Sequence, residues 1–93
     1  TQMHAKLVSP DKIGTFHSGD CYIVLFTAKG QDLETTARKM HMWMGHDSSM
    51  MKRAICAYLC FELTNVLRES KYKASHYQEE QGEERDEFVK YFK

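Results

Sequence analysis

Residues 39–68 read KMHMWMGHDSSMMKRAICAYLCFELTNVLR, and the change of period inside this stretch decides the fold. Residues 39–44, KMHMWM, read as a strand that alternates between core methionines and a second face carrying His41. Gly45 punctuates it, and His46, Asp47, Ser48 and Ser49 form a cap cluster. Ser48 or Ser49 is placed to accept from the first free N–H groups of a helix. That helix is expected from about Met50 to about Arg68. At about 100° per residue, Ile55, Cys56, Leu59, Cys60, Leu63, Val66 and Leu67 fall on one broad stripe, wide enough to cover a sheet. Met50, Ala54, Ala57, Tyr58 and Phe61 cluster roughly opposite, interrupted only by Asn65 and Arg68. A helix apolar on two sides is covered on two sides. Either another part of this chain covers the outer side, or a partner's groove does. A chain this small has few residues to spare for the first option.

Working outward, Cys21–Ala28, CYIVLFTA, is apolar on both alternating faces. It reads as a central strand covered on both sides. The short connection from Gly30 to Thr36 favours antiparallel pairing with residues 39–44. Residues 13–19 read as a turn approach, and Pro10 disfavours a helix before it. Past the long helix, ESKYKAS reads as a loop and His76–Gln81 as a short strand. Glu83–Phe92 reads as a second helix with its acids in the first turns.

The chain has 93 residues, 42% of them hydrophobic and 28% charged, which is one soluble globular domain over residues 1–93. Thirteen basic and thirteen acidic side chains cancel. That removes the electrostatic reason to expect nucleic acid or an anionic membrane as partner. Uncharged runs are too short to span a bilayer, and the N-terminus has no signal core. Cys21, Cys56 and Cys60 are an odd set, which rules out a complete disulfide framework and fits a reducing, cytoplasmic compartment. They read as small buried hydrophobes. His41 lacks companions at metal-ligand spacing and reads as part of a strand, and His17 and His46 read as surface or turn residues. The acids Glu79, Glu80, Glu83, Glu84, Asp86 and Glu87 read as a solvated helix start. No nucleophile turn or phosphate loop is present, so no enzyme chemistry is expected.

Four segments together resemble one family. Residues 14–25, GTFHSGDCYIVL, resemble the gelsolin family's G-x-F-x-x-G-D-x-Y-I-V-L, and residues 40–45, MHMWMG, resemble its I-H-x-W-x-G. Ser48–Ser49, with small residues in the following helix and then Glu62–Leu63, is similar to S-S-x-D-E-x-x-A-A…E-L. Glu79–Glu84, then Phe88 and Tyr91–Phe92, resembles E-V-Q-G-x-E…F…Y-F. The match covers about residues 13–93 in order and is most like the first domain of gelsolin, severin and villin-type proteins.

The resemblance implies an α+β fold: a mixed sheet of about five strands between one long helix and one shorter helix, with the first strand short or absent here. It implies a cytoskeletal protein that binds actin monomers or caps barbed ends. Carried over by position, Met50, Arg53, Ala54, Ala57, Tyr58, Phe61 and Asn65 would face actin. The alternative is a module of the same fold that has lost actin and binds another protein. The family's calcium site uses a Gly-Asp pair and a Glu at the start of the long helix. Gly19 and Asp20 stand here, but the Glu position is Lys52, which cannot ligate calcium. The acid of a second site shared with actin is replaced by Thr64. Hence no cofactor is expected, calcium dependence is expected to be reduced or lost, and Lys52 is expected to pair with Asp20. Further gelsolin-like domains in the full-length protein are also expected.

Overall fold

The computed structural model describes residues 8–28, 30–32, 36–70 and 73–92. A 3-10 turn, Pro10–Lys12, precedes strand β1, Cys21–Ala28. Strand β2, Ala37–Met44, leads into helix α1, Met50–Glu69, and then come strand β3, Lys73–Glu80, and helix α2, Asp86–Lys90. The sheet order is β1-β2-β3. β1 and β2 are antiparallel, with Cys21 opposite Met44 and Ala28 opposite Ala37. β2 and β3 are parallel, with Met40 opposite His76 and Met44 opposite Glu80. A parallel neighbour requires a crossover, and α1 supplies it. The result is an α+β fold with a mixed sheet of three strands among the described residues, where about five were expected.

The cap falls on Ser49, whose hydroxyl accepts from the Lys52 N–H at 3.1 Å. α1 runs in the same direction as β1. Near its start the Lys52 ammonium reaches Gly19 and Asp20, Cys56 lies against the Tyr22 carbonyl, and near its end Arg68 donates to the Ala74 carbonyl at 3.2 Å.

Period-two alternation in β2 divides the core into two layers. Met40, Met42 and Met44 pack with Cys56 and Cys60 under α1, with Cys21, Ile23 and Leu67 at the margin. The opposite face is aromatic. Phe16 stacks on Trp43 at 5.0 Å between centroids and meets Phe92 edge-on at 5.4 Å. Phe88, 2% exposed, completes this layer beneath α2.

Several expectations are corrected. β2, not β1, is the central strand, and β1 is exposed from Leu25 onward. β3 begins at Lys73, three residues before the expected His76, because it continues the parallel ladder down to Ala37. α2 has five residues rather than ten: the Arg85 N–H donates to Glu79, which makes Arg85 the residue before the first turn. Leu63 and Val66, placed on the sheet-facing stripe, are 47% and 55% exposed, since the buried line runs through Cys56, Cys60 and Thr64, along the other edge of that stripe. Glu79, read as part of a solvated acidic run, is 1% exposed.

The loop before β1 is fastened to the turn after β2. The Gly45 N–H donates to the Asp20 carbonyl at 3.0 Å, and the Asp47 N–H to the Ser18 carbonyl at 2.8 Å. A Cβ on Gly45 would stand 2.2 Å from the Ser18 carbonyl oxygen, so only glycine permits this approach. The fastening brings Asp20 to the first turn of α1.

Candidate functional site

Cys56, Cys60 and Thr64 are the buried residues of α1, and their spacing of four defines its inward line. The Thr64 hydroxyl donates to the Cys60 carbonyl at 2.9 Å, which satisfies it inside the core. The outward face follows from that line. Met50 is 85% exposed, Tyr58 53% and Phe61 54%. Ala54 and Ala57 between them are also exposed. Met51, which was not singled out in the sequence, joins this face. Glu62, one turn beyond Tyr58, hydrogen-bonds its hydroxyl and holds the phenol pKa above its ordinary value. Arg53 and Asn65 are half-buried at the margins. Arg53 is tied to the sheet by its bond to Glu80 Oε2 at 2.7 Å. An exposed row of large apolar side chains flanking two alanines can receive a partner's surface closely.

At the N-terminal end of the same helix, the Lys52 ammonium donates to Asp20 Oδ1 at 2.8 Å and to the Gly19 carbonyl at 3.1 Å. The hydrogen bond and charge of Asp20 raise the Lys52 pKa. Both groups are about half exposed, so the pair sits at the surface. An ammonium already takes both oxygens, and no group of three or more His, Cys, Asp or Glu side chains suited to a metal is found among the described residues.

The sequence model of the gelsolin repeat matches residues 7–89. The chain belongs to the gelsolin-repeat family. This gelsolin repeat is 36% identical over 84 residues to gelsolin-like protein 2 of Lumbricus terrestris, covering 89% of the chain and 22% of that protein. It is 33% identical over 85 residues to macrophage-capping protein of Homo sapiens, covering 91% and 22%, and 35% identical over 92 residues to advillin of Mus musculus, covering 99% and 11%. The chain therefore spans less than a quarter of the length of these relatives. Among the described residues of this gelsolin repeat, no helix is long and apolar enough to cross a membrane.

The repeat also holds a buried polar group that the sequence reading missed. His41, with no exposed surface, places Nδ1 2.8 Å from Glu79 Oε2 and Nε2 2.9 Å from the Tyr91 hydroxyl. Arg85 adds its N–H to Glu79 Oε1 at 2.9 Å and its guanidinium to Oε2 at 2.7 Å. The available signal was parity: His41 alternates with the core methionines, and Glu79 lies opposite Trp43 across the parallel ladder. His17 and His46 are exposed, as expected.

Proposed function

We propose that this gelsolin repeat binds actin through the outward face of α1 and regulates filament assembly without enzymatic chemistry, holding monomers or capping barbed ends. The observation that carries this reading is the row Met50, Tyr58 and Phe61, solvent-exposed on a helix whose other side is buried in the core. A domain of this size gains nothing in stability from three large exposed side chains on one face, whereas an interface gains its anchors. Ala54 and Ala57 allow close approach, and Arg53 and Asn65 border the contact. Membership of a family that includes a macrophage-capping protein supports the same reading.

The domain works with little or no calcium, because Lys52 supplies in cis the positive charge that a cation would bring to Asp20 and Gly19. It acts in the cytoplasm, on the cytoskeleton, beside further repeats of a longer protein. The test is polymerisation of pure actin with and without a calcium chelator. Equal slowing in both conditions supports the reading. An effect only with calcium would remove the role given to Lys52, and no effect in either would leave a module of the same fold directed at another protein.

A further inference from the structure

We propose that Tyr91, just past the last turn of α2, is a proton-linked clasp: the chain Glu79–His41–Tyr91–Glu87 closes completely only when His41 carries a proton on both ring nitrogens, and loss of one opens the Tyr91–Glu87 bond. The argument is a count of protons. Glu79 accepts from the Arg85 N–H, the Arg85 guanidinium and His41. Burial pushes its pKa up, but these bonds outweigh that and hold it below the ordinary value, so it is a carboxylate. A carboxylate only accepts, so His41 Nδ1 donates to it. On the other side of the ring, Nε2 is 2.9 Å from the Tyr91 oxygen, which is itself 3.2 Å from Glu87 Oε1. Burial first, then the Glu87 charge, pushes the Tyr91 hydroxyl up to about 12, so it keeps its single proton under ordinary conditions. If that proton points to Glu87, Nε2 must donate and His41 is an imidazolium. If it points to Nε2, the ring is neutral, and the Tyr91 and Glu87 oxygens face each other with no proton between them.

The surroundings fit both states. From β3, Glu79 and the Tyr77 ring face the imidazole, the latter at 5.3 Å. From the α2 side, Glu87, Arg85, Phe88 and Tyr91 do so. Lys39, on β2 itself, pairs with Glu87. From β1 the residue opposite is Val24, which is apolar. The two carboxylates balance the imidazolium, and Arg85 and Lys39, both partly exposed, spread their charge toward solvent. The closed state binds one more proton than the open one, so rising pH opens the Tyr91–Glu87 bond, while the Tyr91–His41 bond to β2 persists with its donor exchanged.

The test is side-chain nitrogen NMR on the intact chain, followed from about pH 5 to about pH 9, a span that brackets the ordinary charge change of an imidazole. Below the transition, both ring nitrogens of His41 should carry protons. Above it only Nδ1 should, with the Tyr91 ring and the Glu87 carboxyl carbon moving at the same midpoint. Tyr91→Phe removes the acceptor of the Nε2 proton and should lower the proton affinity of His41 about tenfold, the worth of one hydrogen bond. Glu87→Gln, on the exposed side of the chain, should move it in the same direction and serves if Tyr91→Phe does not fold. Tyr77→Phe, which keeps the stacked ring, should leave the midpoint where it is. A His41 that stays in one form throughout, a Glu87 signal that ignores the His41 transition, or midpoints unmoved by both chain variants would overturn the proposal.

Discussion

The Lys52 ammonium lies 2.8 Å from Asp20 Oδ1 and bridges to the Gly19 carbonyl, so one side chain of α1 holds two oxygens of the loop before β1. With both partners about half exposed, solvent screens the pair and it contributes little to stability. Its consequence is occupancy rather than stability. Calorimetry on the free domain should therefore find no calcium site of micromolar affinity. Lys52→Glu, which adds a carboxylate where the ammonium stood, should create or strengthen one while changing stability by less than about 1 kcal/mol. A tight calcium site in the unaltered domain that disappears in Asp20→Asn would contradict this account.

Gly45 is the point where the β2–α1 turn and the Ser18–Asp20 loop come closest. An added Cβ meets two backbone oxygens, at 2.2 and 2.6 Å, neither at the end of a flexible side chain. Gly45→Ala should cost on the order of 2 kcal/mol or more in a denaturant titration. Gly19→Ala is the control in the same loop: a Cβ there meets nothing within 4 Å, and the change should stay within about 0.5 kcal/mol.

Local features were legible in the sequence, and relations between distant segments were less so. The cap and the length of α1 are written in adjacent residues, and the structure returns them at Ser49 and Met50–Glu69. The antiparallel pairing of β1 with β2 follows from their short connection, and the Lys52–Asp20 contact from a family pattern. The central position of β2 depends on β3, a strand more than 30 residues later, and no local period encodes that pairing. Leu63 and Val66 belong to the broad apolar stripe, but the line that is buried, Cys56, Cys60 and Thr64, runs along its other edge. Glu79 looked solvated because its neighbours Glu80, Glu83 and Glu84 are charged. Parity along β3 was the only local sign that it turns inward. The outward row on α1 was legible because Met50, Tyr58 and Phe61 lie roughly opposite the core-facing stripe on the helical wheel.

Cys56 and Cys60 should be inert in the native state. Burial pushes the Cys56 thiol from 9.0 up to about 12, and also raises that of Cys60. A thiol reagent that needs the thiolate should label both slowly at neutral pH and rapidly only after denaturation. The sign for stability follows. Between about 9 and about 12 the unfolded chain gives up the Cys56 proton while the folded one keeps it, so stability falls as pH rises through that window. Cys56→Ala should remove this part of the alkaline decline.

Glu79 contributes to the acid side. Its pKa is raised by burial but lowered more by the Arg85 and His41 bonds, and it lies below the ordinary 4.5. A depressed folded value contributes stability that is present above about 4.5 and lost as pH falls through the folded value. Glu79→Gln should flatten the acid limb of a pH–stability profile. At neutral pH it should cost about 3 kcal/mol, because His41 and Arg85 lose their anionic partner inside the domain.

Tyr58→Glu, read at once by thermal melting and by polymerisation of pure actin, tests the central claim most directly. Tyr58 is 53% exposed on the face turned away from the sheet, so the change deletes no core contact. The melting temperature should stay within a few degrees, since surface changes of this kind amount to about 0.5 kcal/mol. Loss of an interface anchor worth about 2 kcal/mol, together with a buried charge, should weaken the effect on actin by well over tenfold. Unchanged stability with lost actin activity is the result this account predicts. Lost stability with actin activity retained would place Tyr58 in the fold's own packing and contradict the assignment of the outward face.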